Sequence, residues 1–257
     1  MDSLFRVEID LDASSPNPQR ACWKGMHQCV AENLAIDDWI PAEREAGEYT
    51  LKNAIKFEHY SVLRPAYLVL YAEGFPHSVV SQITRHQDSA FLVQSMRYSG
   101  KRIYDLGKAL DAAEAWSSYE QTFTDELMER VNKLLYFRKP GNKYADRQGK
   151  KYAYSVRSYR TLLDKCIDSS IDYRNDIDEG MAEEHARDGL PYNFRQNFMI
   201  AGDMQSVFHW MDQRSKADSQ LEIRQFAELA MEKIELFCPE FAQWYKEKRY
   251  GKARLAP

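Results

Sequence analysis

A chain of 257 residues with 44% hydrophobic content can bury one sizeable core, so one domain or two tightly joined lobes is expected, read as a single domain spanning residues 1–257. A formal net charge of -4 argues against a general nucleic-acid binder and for a small polyanion bound locally. The longest clearly apolar run, Ala66 to Ala72, falls far short of the ~20 residues of a membrane span. The N-terminus also lacks an apolar stretch of signal-peptide length, so a cytoplasmic location is expected, with no membrane partner and no nucleic-acid partner.

In chain order, Val7 to Leu11 alternates like a short strand. Ser14 to Pro18 is a turn-rich break, Gln19 to Asn33 reads as a helix and Pro41 to Gly47 as a loop. Tyr60, Val62, Tyr67, Val69 and Tyr71 make Glu58 to Tyr71 a strand interrupted at Pro65. Gly74-Phe75-Pro76 reads as a turn and Pro76 to Thr84 as a short helix. Ala90 to Tyr98 reads as a strand or an extended loop. If it is extended, Phe91, Val93, Ser95 and Arg97 share one face. Helical patterns follow over Asp105 to Tyr119 and Asp125 to Phe137, then a loop over Lys139 to Gly149. Ser155 to Glu184 is helical, Leu190-Pro191 interrupts, and Gln205 to Tyr245 is helical with a break before Pro239. The fold class is α+β: a central antiparallel sheet with helices and a helical C-terminal half.

Several clusters read as structural. Cys22, Cys29, Cys166 and Cys238 are widely spaced, form no CxxC pair and suit reduced thiols. Cys22, His27 and Cys29 have irregular spacing for a metal site, and no metal is expected. Asp168, Asp172, Asp176, Asp178 and Glu179 read as a solvated helix face. Tyr136 to Arg160 carries eight cations against Asp146, with tyrosines interleaved. Such a stretch can bind single-stranded nucleic acid, but in an acidic chain a solvated loop or subunit contact is the favoured reading.

The functional signal is concentrated in Arg85-His86-Gln87-Asp88-Ser89-Ala90-Phe91-Leu92-Val93-Gln94-Ser95-Met96-Arg97-Tyr98-Ser99. Guanidinium groups match phosphate oxygens in bidentate geometry, and here they stand among an imidazole, amides and hydroxyls. The segment resembles the signature of the flavin-dependent thymidylate synthases: Arg-His-Arg, seven residues, then Ser-x-Arg-Tyr. Further resemblances follow in the same order. Phe57-Glu58-His59 and Gln82 precede the signature, Ala186-Arg187 with Leu190-Pro191 follows it, and Arg214 stands eight residues before Glu222. Together they cover roughly residues 55 to 225.

The resemblance implies a thymidylate synthase-complementing protein-like fold and a methyltransferase that makes dTMP from dUMP. Methylenetetrahydrofolate would be the carbon donor, and FAD reduced by NADPH the hydride source. It implies a homotetramer whose active sites combine residues from several chains. It places Gln82, Gln94, Ser95, Arg97, Arg187 and Arg214 on dUMP, and His59, Arg85, His86, Gln87, Asp203 and His209 on FAD. Arg214 and Ser95 are the candidate catalytic residues, Arg214 as the group that polarises the uracil. Ser95 as a nucleophile has no evident His-Asp partner in the sequence.

The departures from the family pattern fall mainly on the flavin side. Gln87 stands in place of Arg, which removes a charge-assisted contact typically worth ~1–2 kcal/mol. Val93 replaces a common Glu, Asp203 and Gln205 replace Asn and Arg, His209 replaces Asn, and Asp218 replaces His. A relative of the same fold that binds flavin or nucleotide without catalysis is the first alternative, and a nucleic-acid-binding module is the second.

Overall fold

Pro65 decides where the central sheet begins. It has no N–H to give to a ladder, and the chain before it folds into two 3-10 turns, Ile55–Phe57 and Tyr60–Leu63. The strand expected over Glu58 to Tyr71 is therefore corrected: it starts at Tyr67 and runs to Pro76. The structure is a computed structural model that describes residues 1–37, 39–114 and 123–252.

Its elements are β1 (Arg6–Ile9), α1 (Pro18–Gln28), α2 (Glu43–Asn53), β2 (Tyr67–Pro76), α3 (His77–Ile83), β3 (Ala90–Val93), α4 (Met96–Ser99), α5 (Lys101–Ala112) and α6 (Asp125–Leu134). They continue with β4 (Lys143–Ala145), β5 (Lys151–Ala153), α7 (Val156–Asp178), α8 (Glu183–Ala186), β6 (Arg195–Asp203), α9 (Met204–Arg214), α10 (Leu221–Phe237) and α11 (Pro239–Lys248). The strand order of the small antiparallel sheet is β1-β2-β6-β3, and β4 and β5 form a separate hairpin. The α+β class expected from the sequence is the one observed.

Contacts divide the chain into two compact units. Unit 1 holds Met1–Ala72, Gln82–Leu92 and the residues from Phe198 onward; unit 2 holds Glu73–Ser81 and Val93–Asn197.

In unit 1, the loop expected over Pro41 to Gly47 is instead the start of α2. Two acidic residues, Glu43 and Glu45, occupy its first turn, where they complement the helix dipole. Gly47 acts here as a packing position. An added Cβ would lie 2.7 Å from Gln19 Oε1, so a larger residue there would displace the Gln19 amide. Gln19 is fully buried and uses its whole amide: Nε2 donates to Glu43 O at 3.1 Å and to Glu240 Oε2 at 2.7 Å, while Oε1 accepts from Glu240 N at 3.1 Å. The helical stretch expected over Gln205 to Tyr245, with its break before Pro239, is three helices. They break at Cys238, ahead of Pro239, and at residues 215–220, the latter being the break not expected. Buried Asp212 ties α9 to α11 by accepting from Tyr245 Oη at 2.9 Å and Arg249 Nη2 at 2.7 Å.

In unit 2, the core gathers Ile103, Leu106 and Leu110 of α5 with Leu163, Ile167 and Ile171 of α7, closed by Val131 and Phe194. Gly107 lets α5 lie against α7, because a Cβ there would run into the Ser170 carbonyl. Of the helix expected over Asp105 to Tyr119, α5 covers Lys101–Ala112, and residues 115–119 lie outside the described residues. The expected helix Ser155 to Glu184 ends at Asp178, before Gly180 at φ +91°, and a short helix resumes at Glu183. Inside the expected loop Lys139 to Gly149 lies β4, paired antiparallel with β5 so that Tyr144 faces Tyr152.

Three further expectations are corrected. Gly74-Phe75-Pro76 lies within β2, although Gly74 keeps a turn-like φ of +79°. The segment Ala90 to Tyr98 is extended only to Val93; Ser95 then occupies the N-cap position of α4, so Ser95 and Arg97 share no strand face with Phe91. The helix expected over Gln19 to Asn33 runs from Pro18 to Gln28. Strand β6 had no counterpart in the sequence reading.

Candidate active site

In unit 1, the chain leaving α3 makes a tight turn, with His86 N–H on the Ile83 carbonyl and Ser89 N–H on the His86 carbonyl. The turn sends His86 inward to 7% exposure and leaves Arg85 and Gln87 in solvent. Opposite stands α9. Its first residues are fixed by Asp203, whose carboxylate caps the helix by accepting from Ser206 N at 2.9 Å and Ser206 Oγ at 3.1 Å. Arg214 is the last residue of α9, where a cation suits the helix dipole.

Arg214 Nε donates to His86 Nε2 at 3.0 Å, and Arg214 Nη2 donates to the Gln82 carbonyl at 2.9 Å. Gln82 Nε2 then donates to Gln220 Oε1 at 2.8 Å, and Gln220 Nε2 to Glu222 Oε2 at 2.7 Å. The His209 ring lies edge-on to His86 at 6.0 Å and accepts from Gln213 Nε2 at 3.2 Å.

The electrostatics follow from this geometry. A guanidinium only donates, so His86 Nε2 must be unprotonated and its proton sits on Nδ1. Burial, then the Arg214 charge, then His209 push the His86 pKa down to about 4, with Asp88 opposing. Burial and neighbouring Arg85 lower the Arg214 pKa, but a guanidinium remains charged. With Nε and Nη2 committed, Nη1 has no hydrogen-bond partner among the described residues.

In unit 2, a cleft of about 520 Å³ is lined by His77, Gln94, Ser95, Arg187, Asp188, Tyr192 and Gln196 together with Val93, Met96, Leu190, Pro191 and Phe194. Gln94 is pinned to β6: its N–H donates to the Asn197 carbonyl at 2.8 Å, and its Oε1 accepts from Asn197 N at 3.3 Å. Arg187 follows α8 and donates from Nε to the Glu184 carbonyl at 3.2 Å. Arg97 does not line this cleft; it is exposed and pairs with Glu184 Oε2 at 3.4 Å.

The residues singled out by the signature thus fall into two groups. Gln82, His86, His209 and Arg214 come together in unit 1, and Gln94, Ser95 and Arg187 in unit 2. Arg85 and Gln87 are exposed beside the first group. His59 is exposed at the start of a 3-10 turn and belongs to neither group. Asp203 spends its carboxylate on capping α9. No imidazole hydrogen-bonds Ser95 Oγ among the described residues, so Ser95 has no base to activate it.

Sequence reasoning missed Gln220 in unit 1 and His77, Tyr192 and Gln196 in unit 2. Gln196 sits on the unread strand β6, and His77 lies in the expected helix Pro76 to Thr84 without having been singled out. Among the described residues no group of three or more His, Cys, Asp or Glu side chains could hold a metal ion, and no helix is long and apolar enough to cross a membrane.

The family described as thymidylate synthase complementing protein matches residues 10–240. The chain belongs to that family. Its relatives include the flavin-dependent thymidylate synthase of Haloarcula marismortui, 25% identical over 214 residues, covering 83% of this chain and 81% of the relative. The flavin-dependent thymidylate synthase of Halobacterium salinarum is 27% identical over 200 residues, covering 77% and 75%. Among solved structures, Thymidylate Synthase X from Helicobacter pylori with FAD and dUMP superposes with a TM-score of 0.68. It is 12% identical and covers 95% of this chain and 98% of that one, which shows a shared fold. The family resemblance read from the signature is therefore correct.

Proposed function

We propose that the protein is a flavin-dependent thymidylate synthase, a methyltransferase that methylates C5 of dUMP. Methylenetetrahydrofolate gives the carbon, and NADPH gives the reducing equivalents through FAD. The observation that carries this reading is the unit 1 group. Three separated signature positions, Gln82, His86 and Arg214, meet around one half-buried guanidinium.

The donor set there fits a phosphate-bearing cofactor. Arg85, His86, His209 and Arg214 stand together, and among the described residues no carboxylate is hydrogen-bonded to any of them. Ser89 Oγ adds a buried hydroxyl without a hydrogen-bond partner among the described residues, on the turn that follows. FAD, when bound, supplies the hydride. His59, Arg85, His86, Gln87 and His209 are assigned to it, with Asp203 acting through the cap of α9. Arg214 holds positive charge at the place where the uracil oxygens become negative, and His86 keeps its fork in one orientation before the reaction begins. Gln82, Gln94, Ser95, Arg97 and Arg187 are assigned to dUMP, the last three to its phosphate. The whole chain is proposed to work as one synthase domain in a cytoplasmic homotetramer, with several chains contributing to each active site.

Anaerobic reduction of FAD by NADPH, with and without dUMP, tests this. Bleaching that accelerates with dUMP supports the synthase. Flavin that is bound but indifferent to dUMP replaces it with the non-catalytic relative, to which Gln87 and the capping role of Asp203 point. Absence of bound flavin overturns both.

A further inference from the structure

The unit 2 cleft contains a relay that none of the roles above uses, and it begins at a backbone carbonyl. Gln196 Nε2 donates to the Gln94 carbonyl at 3.1 Å. A carbonyl only accepts, so this bond fixes which way the amide points. Gln196 Oε1 is thereby turned to His77 Nδ1, 2.5 Å away. An amide oxygen also only accepts, so Nδ1 must carry a proton, and in the neutral imidazole Nε2 is left as an acceptor. Gln196 is 4% exposed, which protects the relay from water. The Tyr192 ring stands edge-on to His77 at 5.1 Å and 87°, which fixes the imidazole plane. His77 lines the same cleft as Ser95 and Arg187, and its Nε2 has no hydrogen-bond partner among the described residues.

Arg187 is a donor and suits a phosphate. It cannot read an N–H or O–H group on a ligand, whereas a fixed lone pair can. We propose that His77 is a specificity-determining residue whose Nε2 accepts a hydrogen bond from a donor group of the nucleotide seated on Arg187 and Ser95. This rests on the dUMP reading above. A uridine nucleotide offers that donor from two places, the base N3–H and the sugar 3′-hydroxyl.

Calorimetric titration of FAD-supplied protein with dUMP, N3-methyl-dUMP and 3′-deoxy-dUMP separates the two sources. The proteins compared are wild type, His77→Phe and His77→Gln. Phe keeps a ring against Tyr192 and removes the acceptor; Gln restores an acceptor near the place of Nε2. His77→Phe is expected to weaken dUMP about tenfold. One analogue should already bind wild type that weakly and lose nothing further in His77→Phe, which identifies the donor that His77 reads. His77→Gln should recover part of the dUMP loss. Equal losses for all three ligands in His77→Phe, as a purely structural role would give, overturn the proposal, and so does unchanged dUMP affinity. Failure of wild type to bind dUMP at all is a different result: it removes the substrate reading itself, and the role of His77 with it.

Discussion

Arg214 and Arg187 both stand at the C-terminal end of a helix, yet they are held in opposite ways. Arg214 is half-buried, with an imidazole on Nε and a carbonyl on Nη2. Arg187 is exposed and anchored by one bond from Nε to a carbonyl three residues back, on a short helix whose Glu184 pairs with Arg97 of α4. A cation locked before the reaction suits charge that appears only in the transition state, because no reorganisation is needed when it appears. A cation on a solvated stem suits capture of an anion already present in solution. On the proposed function the same residue type would serve two tasks, with burial deciding which.

The largest effect should come from the locked arginine. Arg214→Ala is expected to lower kcat about 10²–10³-fold with the circular dichroism spectrum retained; near-normal turnover would end the comparison. Arg187→Ala should act on binding instead, weakening dUMP about tenfold to a hundredfold with kcat at saturation little changed. A kcat loss matching that of Arg214→Ala would mean that the two arginines share one task.

The lock itself has a pH signature. The His86 pKa lies near 4 in the folded protein, against about 6.5 in an unfolded chain. Between those values the unfolded chain binds the proton and the folded one does not, so stability rises with pH across that window. This contribution is complete above pH ~6.5 and is lost as the pH falls toward 4, at up to about 1.4 kcal/mol per pH unit. Thermal melts from pH 7 to 4.5 should show a steeper fall for wild type than for His86→Gln; parallel curves would show that His86 is not the titrating group. The smallest effect is expected at the exposed rim. Gln87→Arg should leave FAD affinity unchanged or tighten it by less than about tenfold, and a clear weakening in a flavin titration would place the flavin away from this turn.

Elements whose signals are local were legible in the sequence. The helix after Pro76 and the break before Pro239 follow from proline alone. β6 was not legible. It opens with Arg195, Gln196 and Asn197, and two of these polar residues are buried because distant groups satisfy them: Arg195 donates to the Asn132 carbonyl at 2.9 Å and to the Gly74 carbonyl at 2.6 Å. Gly47 suggested a loop because nothing in its own neighbourhood announces that Gln19 packs over it. The site shows the same division. The signature residues were readable one by one, but the groupings were not, because they are made by contacts such as Gln82 to Gln220, 138 positions apart, and by residues on a strand whose pattern does not alternate.

The buried amide of Gln19 bears on how the protein is made. It joins α1 to Glu240, 221 positions later, so unit 1 closes only after α11 has left the ribosome. Unit 2 is complete in sequence at Asn197, one residue before the last segment of unit 1 begins. A nascent chain paused there already owns every residue of the unit 2 cleft but lacks α9 and its terminal guanidinium. Vectorial synthesis thus delivers the exposed arginines, Arg97 and Arg187, first and the locked one last.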